Sequence, residues 1–242
     1  MKGRTLRRVF VWELPVRIFH WLNALAIVVL CVTGYLIGNP PALMSNVEAS
    51  NRYLFGIIRF LHLAAAYIFI FNFIFRIYWG FVGNKYAQWR NFIPTNRTYF
   101  KELWKVFRID ILLKPRTEHL SVGHNALAGF MYFFIFLASA FMVLTGFGLF
   151  AGMSTWWLPK LFAWVPSLFG DSEFSVRNWH HSVMWLFVVF TIIHVYLVMF
   201  HDYVEGRGEL SSMGGGWKFI EEEVFEADQQ AEKEAVKVKT RA

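Results

Sequence analysis

The chain has 242 residues, 56% hydrophobic and 19% aromatic, with only 17% charged, against about a quarter charged in an ordinary soluble domain. Its net charge of +7 sits in discrete clusters between apolar runs, which argues topology and against nucleic acid as a partner. The single cysteine, Cys31, excludes a disulfide framework and a thiolate metal site.

No Lys, Arg, Asp or Glu occurs in residues 18–47, 60–75, 119–159 or 178–201. Runs of about 16 or more apolar residues predict transmembrane helices, here near 18–38, 57–79, 126–150 and 179–200. The expected fold class is an all-α membrane protein, a four-transmembrane-helix up-down bundle. Residues 1–204 form its membrane domain, and 205–242 a soluble, charged cytoplasmic tail.

The N-terminal tail carries Lys2, Arg4, Arg7, Arg8 and Arg17. A basic start before an apolar run resembles a signal peptide, but the run is too long and aromatic and lacks a small-residue cleavage site. The first span is therefore read as retained. It ends at Asn39-Pro40-Pro41, before a short connection holding Arg52 and Arg59. The second connection is far more basic, with Lys85, Arg90, Arg97, Lys101, Lys105, Arg108, Lys114 and Arg116. The third, rich in Trp and Phe, offers Lys160 and Arg177. By the positive-inside rule both termini and the second connection are cytoplasmic. Alternating basic and aromatic residues over 85–116 predict an amphipathic segment on the inner membrane surface. The first span ends VTGYLIG (32–38) and the third ends LTGFGLF (144–150), a faint internal echo.

This topology assigns depths to the histidines. His20 falls near the inner surface and His62 near the outer one. In the fourth span His180 lies at the outer level and His194 at the inner, 14 residues or about 21 Å further on. Two pairs at matched depth result, His62 with His180 and His20 with His194. Paired neutral imidazoles on facing apolar helices are what axial ligation of two b-type haems needs, one nitrogen above each ring and one below. Gly34, 14 residues after His20, and Gly146 reach the outer level and open space there. Arg17, Arg59 and Arg177 each precede a paired histidine by three residues, on the same helix face, where they could meet haem propionates. Arg76, 14 residues after His62, returns to the inner level. His181 is rotated about 100° from His180 and faces elsewhere. His119 and His201 fit water-facing positions at the inner interface. His124, Asn125 and Trp21, with Arg17, are quinone-site candidates near the inner pair, although Asn125 also suits a helix cap.

RIFHWLNALAIVVLCVTG (17–34) and RNWHHSVMWLFVVFTIIH (177–194) resemble the two signatures of the b-type cytochrome subunit of membrane-bound nickel–iron hydrogenases. FLHLAAAYIFIFNFIFRIYWGFVGN (60–84) and GHNALAGFMYFFIF (123–136) are similar to the same family, and the likeness covers about 9–204. Asn178 and Ser182 depart from its pattern without touching the ligand positions. The resemblance implies a four-span, haem-binding subunit of the cytoplasmic (inner) membrane, surrounded by lipid. It anchors the small (iron–sulfur) and large (nickel–iron) hydrogenase subunits on the periplasmic side. Electrons pass from the small subunit to menaquinone or ubiquinone, with His20, His62, His180 and His194 as ligands. Nothing in the chain could split hydrogen.

Two other readings compete. A related four-span cytochrome serves formate dehydrogenases and uses an asparagine at the start of its third span to line the quinone site. A histidine-based metal-ion transporter would instead favour carboxylates beside the histidines within the spans, and the sequence has none there.

Overall fold

The computed structural model describes residues 5–40, 53–93, 97–110, 126–205, 208–227 and 229–230. In chain order they form β1 (Leu6–Phe10), α1 (Leu14–Gly38), α2 (Leu54–Val82), α3 (Arg97–Asp110), α4 (Ala126–Ala151), α5 (Trp157–Lys160), α6 (Glu173–Glu205), α7 (Glu209–Gly215) and β2 (Trp217–Glu221). Short 3-10 turns at Trp89–Asn91 and Val165–Phe169 separate some of these. The chain is a membrane protein built on four helices long and apolar enough to cross a bilayer: α1, α2, α4 and Glu173–Phe200 of α6.

Three of the helices begin earlier than the apolar runs predict, at Leu14, Leu54 and Glu173 rather than near 18, 57 and 179. The extra turns of α1 and α6 carry Arg17 and Arg177. A long cationic side chain can keep its head in water from a helix already entering the bilayer, so charge marks the interface and not the helix end. Pro15 sits in the first turn of α1, where its missing N–H costs nothing. Past Gly38, Pro40 cannot continue the helix.

The chain separates into two compact units, one drawn from Ile18–Ile77 and Ile135–His194, the other from Met1–Arg17, Tyr78–Phe134 and Val195–Ala242. The first holds the greater part of the four apolar helices. Phe19 near the start of α1 meets Asn72 and Arg76 near the end of α2. Gly34 and Gly38 near the end of α1 meet Met184 and His181 near the start of α6. Phe73 of α2 stacks on Phe136 of α4 with centroids 4.6 Å apart. Successive helices therefore run antiparallel. Ala26, Phe69, Ile70, Val143 and Phe147 form the core of this unit, with Tyr67 and Phe162 packed on it. Lipid is as apolar as these side chains, so close packing and buried hydrogen bonds hold helices together. The buried Asn72, whose Nδ2 donates to the Phe19 carbonyl at 2.9 Å, is one such bond.

The second unit contains an arrangement absent from the sequence-based expectation. Beyond 205, α7 and β2 are ordered elements, and β2 pairs antiparallel with β1 from Leu6↔Glu221 to Phe10↔Trp217. Residues 222–227 continue as helix. Gly216 closes the turn into β2 with φ of 85°, and its carbonyl accepts from the backbone N–H of Val11 and Trp12 at 2.9 and 3.1 Å. A Cβ there would lie 2.6 Å from the Trp12 carbonyl oxygen, so glycine is needed for both φ and space. Lys218 is buried, its Nζ 2.7 Å from Glu209 Oε2 and above the Trp12 ring. Arg7 pairs with Glu222 at 2.8 Å. Glu13 Oε2 accepts from Trp79 Nε1 at 3.1 Å and from the Asn84 backbone at 2.9 Å. The second connection supplies α3, whose Tyr99 hydroxyl donates to the Ala126 carbonyl at 2.9 Å.

Candidate functional site

Within the first unit one of the expected histidine pairs approaches closely from different helices. His20 of α1 and His194 of α6 have ring centroids 6.3 Å apart, with planes tilted by 54°. That spacing leaves room for one metal ion at about 2 Å from a nitrogen on each side. His194 stacks on Phe190, and His20 meets Trp21 edge-on. Nδ1 of His20 is buried and has no hydrogen-bond partner among the described residues.

The other pair is held differently. A Cβ on Gly34 would stand 3.2 Å from Cε1 of His62 and 3.7 Å from Met184 Sδ, one helical turn beyond His180. His62 of α2 is thus seated against α1 and close to the His180 region of α6. A Cβ on Gly146 of α4 would stand 3.1 Å from Cε1 of His180. The space these glycines provide belongs to the imidazole rings themselves.

Each of these rings also has a threonine partner. Thr33 Oγ1 lies 2.6 Å from the Val29 carbonyl oxygen and 2.9 Å from Nδ1 of His62. Thr145 Oγ1 lies 2.8 Å from the Phe141 carbonyl oxygen and 2.8 Å from Nδ1 of His180. A carbonyl only accepts, so each hydroxyl hydrogen goes back to the helix turn four residues earlier, leaving Oγ1 to accept Nδ1–H. In that tautomer Nε2 carries the free lone pair, the form in which imidazole binds a metal. Sequence reasoning missed both threonines. The signal that could have found them was the repeated Thr-Gly of VTG and LTG, which by itself is ordinary near a helix end.

The arginines scatter. Arg76 is buried and its guanidinium lies over the Phe19 ring at 5.3 Å. Arg17 donates from Nη1 to the Gly214 carbonyl, while its Nε is buried without a partner among the described residues. Arg59 is exposed and reaches Met153 Sδ at 3.8 Å, and Arg177 is exposed. His181 lies against Gly38 and edge-on to Trp185. Trp21 is half exposed. His119, His124 and Asn125 lie outside the described residues.

Among the described residues no group of three or more His, Cys, Asp or Glu side chains converges as a metal-ion cage would require. Two imidazoles per level fit a metal whose remaining ligands come from elsewhere, as the four porphyrin nitrogens of haem do. The Nδ1 of His20, without a partner among the described residues, and the His62 and His180 rings held at Nδ1 by threonine are compatible with that group.

Comparison with known proteins gives a consistent result. Relatives described as probable Ni/Fe-hydrogenase B-type cytochrome subunits include one from Azotobacter vinelandii, 43% identical over 227 residues, covering 92% of this chain and 93% of the relative. The Cupriavidus necator protein is 43% identical, with 89% of each chain covered. The Ni/Fe-hydrogenase 1 counterpart from Escherichia coli K12 is 35% identical over 86% of this chain and 90% of the relative. Residues 11–216, from the segment before α1 to the turn before β2, match the family described as prokaryotic cytochrome b561. The chain therefore belongs to the prokaryotic cytochrome b561 family and is a multi-pass protein of the inner membrane.

Proposed function

We propose that this chain is the di-haem b-type cytochrome subunit of a nickel–iron hydrogenase, taking electrons from the iron–sulfur small subunit and delivering them across the membrane to quinone. The observation that carries the reading is the pair of imidazole couples, His62 with His180 and His20 with His194, on antiparallel apolar helices. The names of the relatives supply the hydrogenase partner.

When bound, haem b would supply reversible one-electron chemistry, and His62, His180, His20 and His194 are the residues that would hold it. The chain's own residues do the rest. His62 and His180 offer Nε2 while their Nδ1–H groups are engaged by threonine. His20 and His194 offer the second couple. Arg76, buried with its guanidinium over the Phe19 ring, is a propionate candidate. Arg17, Arg59 and Arg177 are the further propionate candidates, one turn from their histidines. The basic second connection supports cytoplasmic termini, which puts the His62/His180 couple toward the periplasmic hydrogenase and the His20/His194 couple toward quinone. Arg17, Trp21, His124 and Asn125 are proposed for the quinone end, and hydrogen is split by the partner subunits.

A reduced-minus-oxidised spectrum with a haem-to-protein ratio, taken on membranes before and after adding hydrogen, tests this. The expected result is about two b-type haems per chain, reducible by hydrogen through the intact complex. Absence of haem sinks the reading and favours a histidine-based transporter. Haem that hydrogen does not reduce assigns the subunit to another oxidoreductase.

A further inference from the structure

The two Thr-Gly dipeptides perform the same pair of contacts on two different helices. In α1, Thr33 Oγ1 lies 2.9 Å from Nδ1 of His62, and a Cβ on Gly34 would stand 3.2 Å from Cε1 of the same ring. In α4, Thr145 Oγ1 lies 2.8 Å from Nδ1 of His180, and a Cβ on Gly146 would stand 3.1 Å from its Cε1. Both threonines are buried, at 6% and 1% exposure, so neither hydroxyl has water as an alternative partner. Each histidine belongs to a helix other than its dipeptide's. The arrangement therefore positions two side chains across two helix–helix contacts, and chance repetition of one local turn does not produce it.

We propose that Thr33-Gly34 and Thr145-Gly146 are matched positioning elements, which fix the tautomer and ring orientation of His62 and His180 so that both present Nε2 to one haem iron. The proposal rests on the haem-ligand reading of these histidines and adds residues and a task to it. The threonine hydroxyl passes its own hydrogen to the i−4 carbonyl and so can only accept from the ring. Acceptance at Nδ1 makes the opposite nitrogen a stronger donor, which favours the ferric state of a bound iron. Glycine sets the distance: a methyl group at either position would press on Cε1 at 3.1–3.2 Å and turn the ring off its axis. Nδ1 of His20 has no hydrogen-bond partner among the described residues.

The test uses the full chain in its membrane with Thr33→Val, Thr145→Val and the double variant, each set beside the corresponding Thr→Ser variant. Val keeps the shape and removes the hydroxyl; Ser keeps the hydroxyl. The readouts are haem affinity, the electron paramagnetic resonance g-values of the ferric low-spin centre, and the midpoint potential of the His62/His180 haem. Each Val variant is expected to weaken binding of that haem by about tenfold or more, shift its g-values and move its potential positive. Ser should restore all three. Should a Val variant fail to accumulate, Thr→Ala against Thr→Ser gives the same comparison. Val or Ala variants with unchanged affinity, g-values and potential overturn the proposal. So does failure of Ser to restore them. A wild-type chain that binds no haem overturns the cofactor reading itself and is told apart from both.

Discussion

The rings of His20 and His194 face each other 6.3 Å apart across α1 and α6, and Nδ1 of His20 is buried with no hydrogen-bond partner among the described residues. His194 itself stacks on Phe190. The couple at the other level has a threonine on each ring. A ligand whose second nitrogen is unsupported gives up rotational freedom when it binds, and outer partners of this kind change metal affinity by about 10–100-fold.

One expected consequence is unequal haem retention. His20→Ala leaves only the threonine-supported couple, whereas His180→Ala leaves only His20 and His194. Under increasing detergent, the His180→Ala protein should lose its remaining haem first, with roughly tenfold weaker retention or worse. Equal loss in the two variants would mean that the threonines contribute nothing to affinity.

The glycines separate by what surrounds them. Gly146→Ala places a methyl 3.1 Å from Cε1 of His180, tighter than ordinary contact, so the ring must move. Gly56, in the first turn of α2, has nothing within 4 Å among the described residues, and alanine is the better helix former by about 0.5–1 kcal/mol. Gly146→Ala should thus lower haem content without loss of helix, while Gly56→Ala should leave haem unchanged and melt slightly later. Thermal scans with absorbance at the haem band read both effects together.

The four apolar helices and the approach of His20 to His194 were legible because each rests on a strong local signal: absence of charge over many residues, and residue spacing along a helix. The starts at Leu14 and Glu173 were not, because Arg17 and Arg177 look like loop residues until the helix carrying them is seen to run on into the interface. Thr33 and Thr145 were visible only as an echo, since a threonine's partner on another helix leaves no mark in its own sequence. The pairing of β1 with β2 joins residues more than two hundred positions apart, and neither pentapeptide carries a hairpin signal. Among the arginines, Arg17 is tied to Gly214 of that same C-terminal segment, a contact no spacing rule foresees.

Within the unit that joins the chain termini, Lys218 is buried against Glu209, whose own side chain is about a third exposed at 32%. Glu209→Gln leaves a buried ammonium without its carboxylate, a change that costs about 3–5 kcal/mol in a fully buried pair and less here because Glu209 meets solvent. Faster hydrogen exchange across β2 and earlier proteolytic cutting near 208–216 should follow. Adding Lys218→Met to that variant removes the stranded charge and should recover most of the protection, an outcome opposite to simple loss of two favourable contacts.

Glu13 supplies a single acceptor to two donors from the far end of α2, Trp79 Nε1 and the Asn84 backbone N–H, while the Asn84 side chain in turn donates to the Val11 carbonyl at 2.8 Å. The carboxylate and the amide thereby lock the segment between β1 and α1 onto the segment after α2. Truncation by Glu13→Ala takes the acceptor from both donors at once, each worth about 1–3 kcal/mol when charge-assisted or left unmet. Glu13→Gln keeps one carbonyl oxygen in the same place and loses only the charge. Melting in mild detergent should therefore fall in the order wild type, Glu13→Gln, Glu13→Ala, with haem content at low temperature unchanged because no haem-ligand candidate touches Glu13. A Gln variant as unstable as the Ala variant would show that the charge, rather than the pair of hydrogen bonds, secures this end of the chain.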